Sequence, residues 1–357
     1  MANPWPSACA QSRMGFNLPF SILDGAAMRP LIFLFPHDRM DVGGNTAQVR
    51  FVEACCRFTA ASIVFYGSRM ADRPHLDDYL THDAKGASSP IFVIHWGPDI
   101  AMLLERLKGR DVVYIAHSTG WGMTLPSQAP MLCVSRHTMA YWGRNAPNSY
   151  IAHVPNVVEI DGSGTTQPRD VDVLVQVRKS SRYLLERLVP ALQERCRVTV
   201  LDGWVDDLSA WFRRSSVYLY DSLEHWADVG ATEGFGLPPL EAMGQGCVVF
   251  SSVNDALADY LDPGFNCRKI RIHSLQWDVA EILRAVEDRA PAPPHAPWFA
   301  GYSPDMVASR LETVFGDLER FFDFTADIDP NIDDLWALRR PTPLQRAKRA
   351  VRVLAGS

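Results

Sequence analysis

Apolar residues along this chain come in short dense blocks separated by mixed stretches. Leu31-Ile-Phe-Leu-Phe35 is apolar throughout, as a strand buried on both faces should be. A glycine turn follows, then a helical stretch from about Asn45 to Phe58, then the strand-like Ser62-Ile-Val-Phe-Tyr66. Ile91–Ile94, Val112–Ile115, Met131–Val134 and Ile151–Val154 predict further strands, with a helix over Ile100–Leu107. This is the βαβ rhythm of a parallel sheet covered by helices. It breaks between Asn156 and Asp170, where Asp161-Gly-Ser-Gly-Thr-Thr-Gln-Pro168 has linker composition. A second series then predicts strands over Val171–Val177, Val198–Leu201, Val217–Tyr220 and Cys247–Phe250. The helices between them span Tyr183–Glu194, Leu208–Arg213 and Leu237–Gln245. Ser303-Pro304-Asp305 reads as a helix start, with a Ser cap, Pro at the first position and Asp at the positive end. Val307, Leu311, Val314, Phe315, Leu318 and Phe322 mark one face of that helix.

The predicted organisation is therefore a loose extension over 1–28 and two α/β domains over 29–160 and 168–300. A C-terminal helix over 303–323 and a basic tail over 339–357 complete it. With 357 residues the chain exceeds the roughly 250–300 at which one hydrophobic core stops growing. A ligand cleft between the domains, at the carboxyl ends of the strands, is the expectation.

Composition narrows the function. Apolar residues make up 47% and charged residues 21%, which excludes a mostly disordered chain or a fibre. Lys plus Arg is 35 against 41 Asp plus Glu, a net charge of −6, which argues against a nucleic-acid-coating protein. The 7 cysteines show no CxxC spacing and lie mostly in apolar runs, where a thiol acts as a small hydrophobe. No disulfide framework or zinc site is expected, and a reducing compartment is. No apolar run approaches the ~20 residues of a membrane-spanning helix. The first 28 residues carry Pro4, Pro6, Arg13 and Asn17 without a continuous apolar stretch, unlike a secretion signal. A cytoplasmic location is expected.

One segment carries most of the chemistry: Glu233-Gly-Phe-Gly-Leu-Pro-Pro-Leu-Glu241-Ala-Met-Gly-Gln-Gly-Cys-Val-Val-Phe250. A strand ends near Tyr220 and a loop runs to Glu233. Gly234 and Gly236 allow a tight turn and close approach to a ligand. Pro238 and Pro239 suit the first turn of a helix. A helix N-terminus beside glycines at the end of a parallel strand binds anions, phosphates above all. Glu241, about one turn into the helix, suits a pair of sugar hydroxyls, and Glu233 sits at the mouth of the cleft.

This segment resembles the E-x7-E motif of retaining glycosyltransferases of the GT-B fold, especially those like family 4. The spacing from Glu233 to Glu241 and the wording EGFGLPPLEAM both match. Gly246-Cys-Val-Val resembles the family's G-x-P-V-V strand entry, except that Cys247 leads straight into the strand. Gly203-Trp204-Val205, Val154-Pro155-Asn156-Val157-Val158 and Gly43-Gly44-Asn45 resemble other family passages, so the likeness touches about residues 31–320.

The resemblance implies two Rossmann-like domains facing each other across a cleft. It also implies transfer of a sugar from a nucleotide-sugar donor to a glycan or lipid-linked acceptor, with retention. By this likeness Glu241 holds the donor ribose, and Gly234, Phe235, Gly236 and Leu237 line the donor. Glu233 lies near the transferred sugar or diphosphate. Arg178 and Lys179 offset charge on the leaving diphosphate, so neither a metal nor another cofactor is expected. The family's Arg and Lys usually stand several residues apart. Here Arg178 and Lys179 are adjacent, and Arg182 stands where it can replace the missing Lys. His117, after the run Val112–Ile115, matches a histidine that approaches the transferring sugar. His95 is a similar candidate, and Gly43, Gly44 and Asn45 shape the acceptor side. The stretch with His225, Trp226 and Asp228 reads as a long loop, an acceptor-binding insertion.

Asp327-Ile-Asp329 matches the D-x-D metal motif only superficially. It lies in an acidic run with Asp323, Asp333 and Asp334 and reads as a solvated loop. The tail carries Arg339, Arg340, Arg346, Lys348, Arg349 and Arg352 and no acidic residue, with Leu344, Ala347, Val351 and Leu354 as an apolar stripe. Such a helix suits weak contact with an anionic membrane surface. The alternatives are a GT-B sugar-nucleotide epimerase or phosphorylase, and a catalytically dead GT-B module that binds a glycan or partner.

Overall fold

The computed structural model describes residues 28–39, 43–80, 89–95, 97–120, 125, 129–158, 169–205, 207–288 and 297–332. Residues 1–27 of the predicted extension, the linker Asp161–Pro168, Asp333, Asp334 and the basic tail 339–357 lie outside the described residues, as does Cys9.

The first half alternates strands and helices: β1 (Leu31–Phe35), α1 (Gly43–Cys55), β2 (Ala61–Phe65), α2 (Leu76–Leu80) and β3 (Ile91–Ile94). Then follow α3 (Ile100–Arg106), β4 (Val112–Ala116), β5 (Met131–Cys133), α4 (Arg136–Asn145) and β6 (Ile151–His153). The strands form one sheet in the order β2-β1-β3-β4-β5-β6, parallel at every pairing. The second half runs β7 (Val171–Gln176), α5 (Val189–Gln193), β8 (Val198–Leu201), α6 (Leu208–Arg214), β9 (Ser215–Tyr220), α7 (Leu223–Val229) and α8 (Leu237–Gly244). It ends with β10 (Val248–Ser251), β11 (Arg268–Lys269), α9 (Leu275–Asp288) and α10 (Pro304–Asp327). Its sheet has the order β11-β10-β9-β7-β8, again wholly parallel.

The inner strands feed two cores because successive side chains point to opposite faces. Leu31, Phe33 and Phe35 enter one cluster, while Ile32 and Leu34 enter another on the far face. In the second sheet Tyr218 and Tyr220 join the first cluster, while Val217 and Leu219 face a third. The shared cluster thus runs between the two sheets.

The cap signals hold. Ser303 Oγ accepts the Met306 N–H at 3.3 Å and starts α10. That helix runs on to Asp327, past its predicted end at 323, and packs back against α1 of the first half. Val307, Leu311, Phe315, Leu318 and Phe322 are buried there with Phe51, Val52 and Cys55. The D-x-D look-alike sits at its exposed end.

Several predicted elements are corrected. Gly43, Gly44 and Asn45 form no loop; they are the opening residues of α1. The predicted helix Tyr183–Glu194 contains a π-helical stretch, Leu184–Leu188, in which the Val189 N–H reaches back to Leu184 O. Pro190 follows and has no N–H to give, which favours this slip of register. The stretch from Tyr220 to Glu233 is no plain loop, because α7 occupies it. Among the described residues no helix is long and apolar enough to cross a membrane. Cys55, Cys56, Cys133, Cys196, Cys247 and Cys267 are free thiols.

The α10–α1 contact yields a first test. Phe315 is fully buried, so Phe315→Ala should cost about 3–5 kcal/mol in denaturant unfolding. A loss below about 1 kcal/mol would show that α10 is not part of the cooperative core.

Candidate functional site

In an open parallel sheet the binding crevice lies at the carboxyl ends of two neighbouring strands whose connections leave in opposite directions. The strand orders place one such point between β1 and β3 and another between β7 and β9. Beyond the first come His37 and His95; beyond the second come Arg178, Lys179 and Asp221.

At the second point the chain leaves β7 in a turn closed by the Ser180 N–H on Val177 O, at 3.0 Å. Ser181 ties this turn to β9: its N–H donates to Asp221 O at 2.9 Å and its Oγ to Asp221 Oδ2 at 2.5 Å. Within the turn Lys179 takes a left-handed φ of 64°, uncommon for a residue with a Cβ. Its ammonium lies 3.2 Å from Glu233 Oε1 and 4.4 Å above the Trp226 ring. The other carboxylate oxygen, Oε2, accepts from Tyr220 Oη at 2.5 Å and from Trp226 Nε1 at 2.9 Å. The Glu233 backbone is held as well. Its N–H donates to Asp255 Oδ2 at 3.1 Å, and its carbonyl accepts from the Ala256 N–H at 3.2 Å.

Glu233 is only 3% exposed. Burial opposes its ionisation, but the Lys179 charge and the donors Tyr220, Trp226 and Lys179 outweigh it, holding the carboxyl below its ordinary value. Glu233 is thus a carboxylate at neutral pH. Burial, then the neighbouring Glu233, pushes the Tyr220 phenol far up.

At the first point two imidazoles meet two amides from α1. His95 Nε2 lies 3.2 Å from Asn45 Oδ1, and His117 Nε2 lies 2.8 Å from Gln48 Oε1. Asn45 and Gln48 stand one turn apart on the same helix face. Asn45 Nδ2 also donates to Arg39 O at 2.8 Å. The two imidazole rings meet edge to face, 5.9 Å apart. Burial pushes the His117 pKa down to about 3. Burial, with His117 nearby, likewise carries His95 well below its ordinary value. Both rings are neutral near pH 7.

The two points meet at Gly234. A Cβ there would stand 1.6 Å from His117 O and 2.4 Å from its carbonyl carbon. The close approach that glycine permits here is to the chain's own backbone, not to a ligand as the sequence suggests. Beside it the Thr119 and Thr232 hydroxyls lie 2.7 Å apart, and Ser118 Oγ donates to Thr232 O at 2.8 Å.

The remaining residues of the motif divide. Gly236 caps α8 with φ 79°. Pro238 and Pro239 fill the first turn and carry no N–H, so the helix start offers the N–H groups of Gly236 and Leu237 rather than a full set. The Phe235 ring points into the core between Tyr260 and Tyr302, away from a cleft ligand, and Leu237 is partly buried against the same core. Glu241 Oε1 accepts from Arg50 Nη1 at 2.9 Å, an ion pair between α8 and α1. Arg50 also donates to Val157 O at 3.1 Å. Arg178 is exposed. Arg182, its side chain 79% exposed, turns toward Glu224. Lys179 is the basic residue that pairs with Glu233.

Sequence reasoning missed Tyr220, Gln48, Arg50 and the link from Trp226 to Glu233. The i, i+3 spacing of Asn45 and Gln48 was a usable signal for one of them. Among the described residues no three His, Cys, Asp or Glu side chains group as a metal site.

No protein-family model and no curated protein matches the chain. Solved structures do. A glycosyltransferase from Rickettsia africae aligns with TM-score 0.60 at 10% identity, over 82% of this chain and 98% of that one. HepE from Anabaena, solved with UDP, aligns with TM-score 0.53 at 11% identity, over 84% and 99%. Sucrose-phosphate synthase from Thermosynechococcus elongatus aligns with TM-score 0.51 at 13% identity, over 84% and 98%. The fold is GT-B, with two Rossmann-like domains.

The Glu233 geometry yields a pH test. Its folded pKa lies below the ordinary 4.5, so its ionisation adds stability above that value. This contribution is lost as the pH falls through the folded pKa. Urea unfolding from pH 7 to pH 3 should show a smaller acid loss for Glu233→Gln than for wild type. Parallel curves would mean that Glu233 is not held as a carboxylate.

Proposed function

We propose that this chain is a retaining glycosyltransferase moving a sugar from a nucleotide-sugar donor to a glycan or lipid-linked acceptor. One observation carries the reading. A buried carboxylate paired with a partly exposed ammonium lies at the switch point of the second sheet, and the adjoining Gly234 packs on the backbone of His117, one of two neutral imidazoles of the first. HepE has been solved with UDP-glucose, which makes uridine diphosphate sugars the first donors to test.

In this reading the donor diphosphate lies at the carboxyl ends of β7 and β9. Lys179 leaves Glu233 for the diphosphate and offsets the charge that grows as the bond from the anomeric carbon to the phosphate oxygen breaks. The electron pair of that bond goes to the diphosphate. The acceptor hydroxyl bonds to the same carbon from the same face, and its proton passes to the departing phosphate oxygen. Glu241 releases Arg50 and takes the ribose hydroxyls. His95 and His117, neutral and hydrogen-bonded, suit uncharged sugar hydroxyls. The scheme assigns no step to a metal.

A second reading has its own support. Both oxygens of Glu233 and one of Glu241 are already engaged by the chain. A GT-B module that only binds a glycan or partner could keep them so.

Mass spectrometry against a panel of sugar nucleotides separates the two. A transferase releases nucleoside diphosphate from at least one of them, with or without excess EDTA, and a dead module releases it from none. Lys179→Ala should cut turnover roughly a hundredfold. Arg50→Ala should tighten nucleotide binding several-fold, because it frees Glu241 from an ion pair worth about 1 kcal/mol. Wild-type turnover in Lys179→Ala would remove Lys179 from the mechanism.

A further inference from the structure

The helix α7 stands in the part of the chain that departs from the glycosyltransferase-like pattern, and none of its residues is buried. Its Trp226 nevertheless touches both members of the Glu233–Lys179 pair. The indole N–H donates to Glu233 Oε2 at 2.9 Å, and the ring face lies 4.4 Å from Lys179 Nζ. Neither contact duplicates the other: Lys179 uses Oε1, and Trp226 uses Oε2 together with Tyr220.

We propose that Trp226 is a positioning residue: its N–H pins the Glu233 carboxylate, and its ring face holds the Lys179 ammonium beside the site. The kinetic part of this inference rests on the transferase reading above.

The physical argument concerns what happens when the ammonium moves to an anion. A carboxylate held by one partner would turn to follow it. Glu233 is gripped at Oε2 from two directions, so the departure of Lys179 opens Oε1 without turning the group. The ring face offers the ammonium a second attraction. Lys179 therefore stays close to the carboxylate without being committed to it. The helix itself is anchored. Glu224 accepts the Arg182 backbone N–H at 2.8 Å and pairs with Arg271 at 2.8 Å, while the Trp226 backbone N–H closes the helix's first turn on Ser222 O at 3.1 Å. The His225 ring lies edge-on to the indole at 5.0 Å.

Two variants separate the two contacts. Trp226→Phe keeps a ring face and removes the N–H; Trp226→Leu removes both. With the donor found in the panel, Trp226→Phe should lower kcat about tenfold to a hundredfold and leave the donor KM within about twofold. Trp226→Leu should lower kcat similarly and also raise the donor KM several-fold. Unchanged kcat and KM in Trp226→Phe, or a fall that only follows a lowered melting temperature, would overturn the proposal. If Trp226→Leu does not fold, Trp226→Phe decides alone. A readout in the ligand-free protein keeps the two readings apart. The indole N–H resonance of Trp226, identified by its absence in Trp226→Phe, should move upfield in Glu233→Gln, where a neutral amide replaces the carboxylate. If the wild type releases no nucleoside diphosphate, the transferase reading fails and this resonance still decides. Its failure to move would remove the hydrogen bond on which the proposal stands.

Discussion

The molecule is organised around one close approach. Backbone at Gly234 lies against the carbonyl of His117, where a Cβ would sit 1.6 Å from the oxygen. Side chains can yield by rotating, but a carbonyl at the end of a central strand cannot. Only glycine lets the end of β4 and the entry to α8 touch. That contact joins the residue after β4, whose neutral imidazole pairs with Gln48, to the residue after the buried Glu233. Glu233, next in the chain, is itself buried, which sets the electrostatic problem that the neighbouring residues solve.

A buried carboxylate is costly unless it is paired and hydrogen-bonded, and removing one partner of such a pair typically costs about 3–5 kcal/mol. Glu233 meets the requirement with an ammonium, a phenol and an indole. Lys179 accepts a left-handed backbone to supply the charge. The second acidic residue of the motif solves a similar problem across the domains, where Arg50 joins α1 to α8 and to the backbone at Val157. A ligand that enters must therefore exchange contacts with groups already paired. Its binding is coupled to the seam between the domains.

Much of this was legible in the sequence. The apolar runs at Leu31–Phe35 and Val112–Ile115 marked parallel strands because both faces are buried. Ser303-Pro304-Asp305 marked a helix start because each residue answers a local need of the backbone. The long-range pairings were not legible. Arg50 and Glu241 stand 191 residues apart, and nothing local to either points to the other. Gly234 announced a close approach but could not say to what. Phe235 sat inside a motif that points toward a ligand, yet its ring found two tyrosines in the core. Helix α7 stayed hidden because it buries no residue and so shows no apolar stripe. The pair Gly43-Gly44 looked like a turn because glycine is a poor helix former, although a helix start tolerates it.

The central claim is that the junction around Glu233 receives the diphosphate of a nucleotide. A crystal structure of the full chain with UDP tests it most directly. The diphosphate should lie within hydrogen-bond reach of Lys179 Nζ and of the backbone at Gly236 and Leu237. Glu233 should still be held by Tyr220 and Trp226, and Glu241 should have turned from Arg50 to the ribose. UDP bound elsewhere, with the Lys179–Glu233 and Arg50–Glu241 pairs both intact, would contradict it.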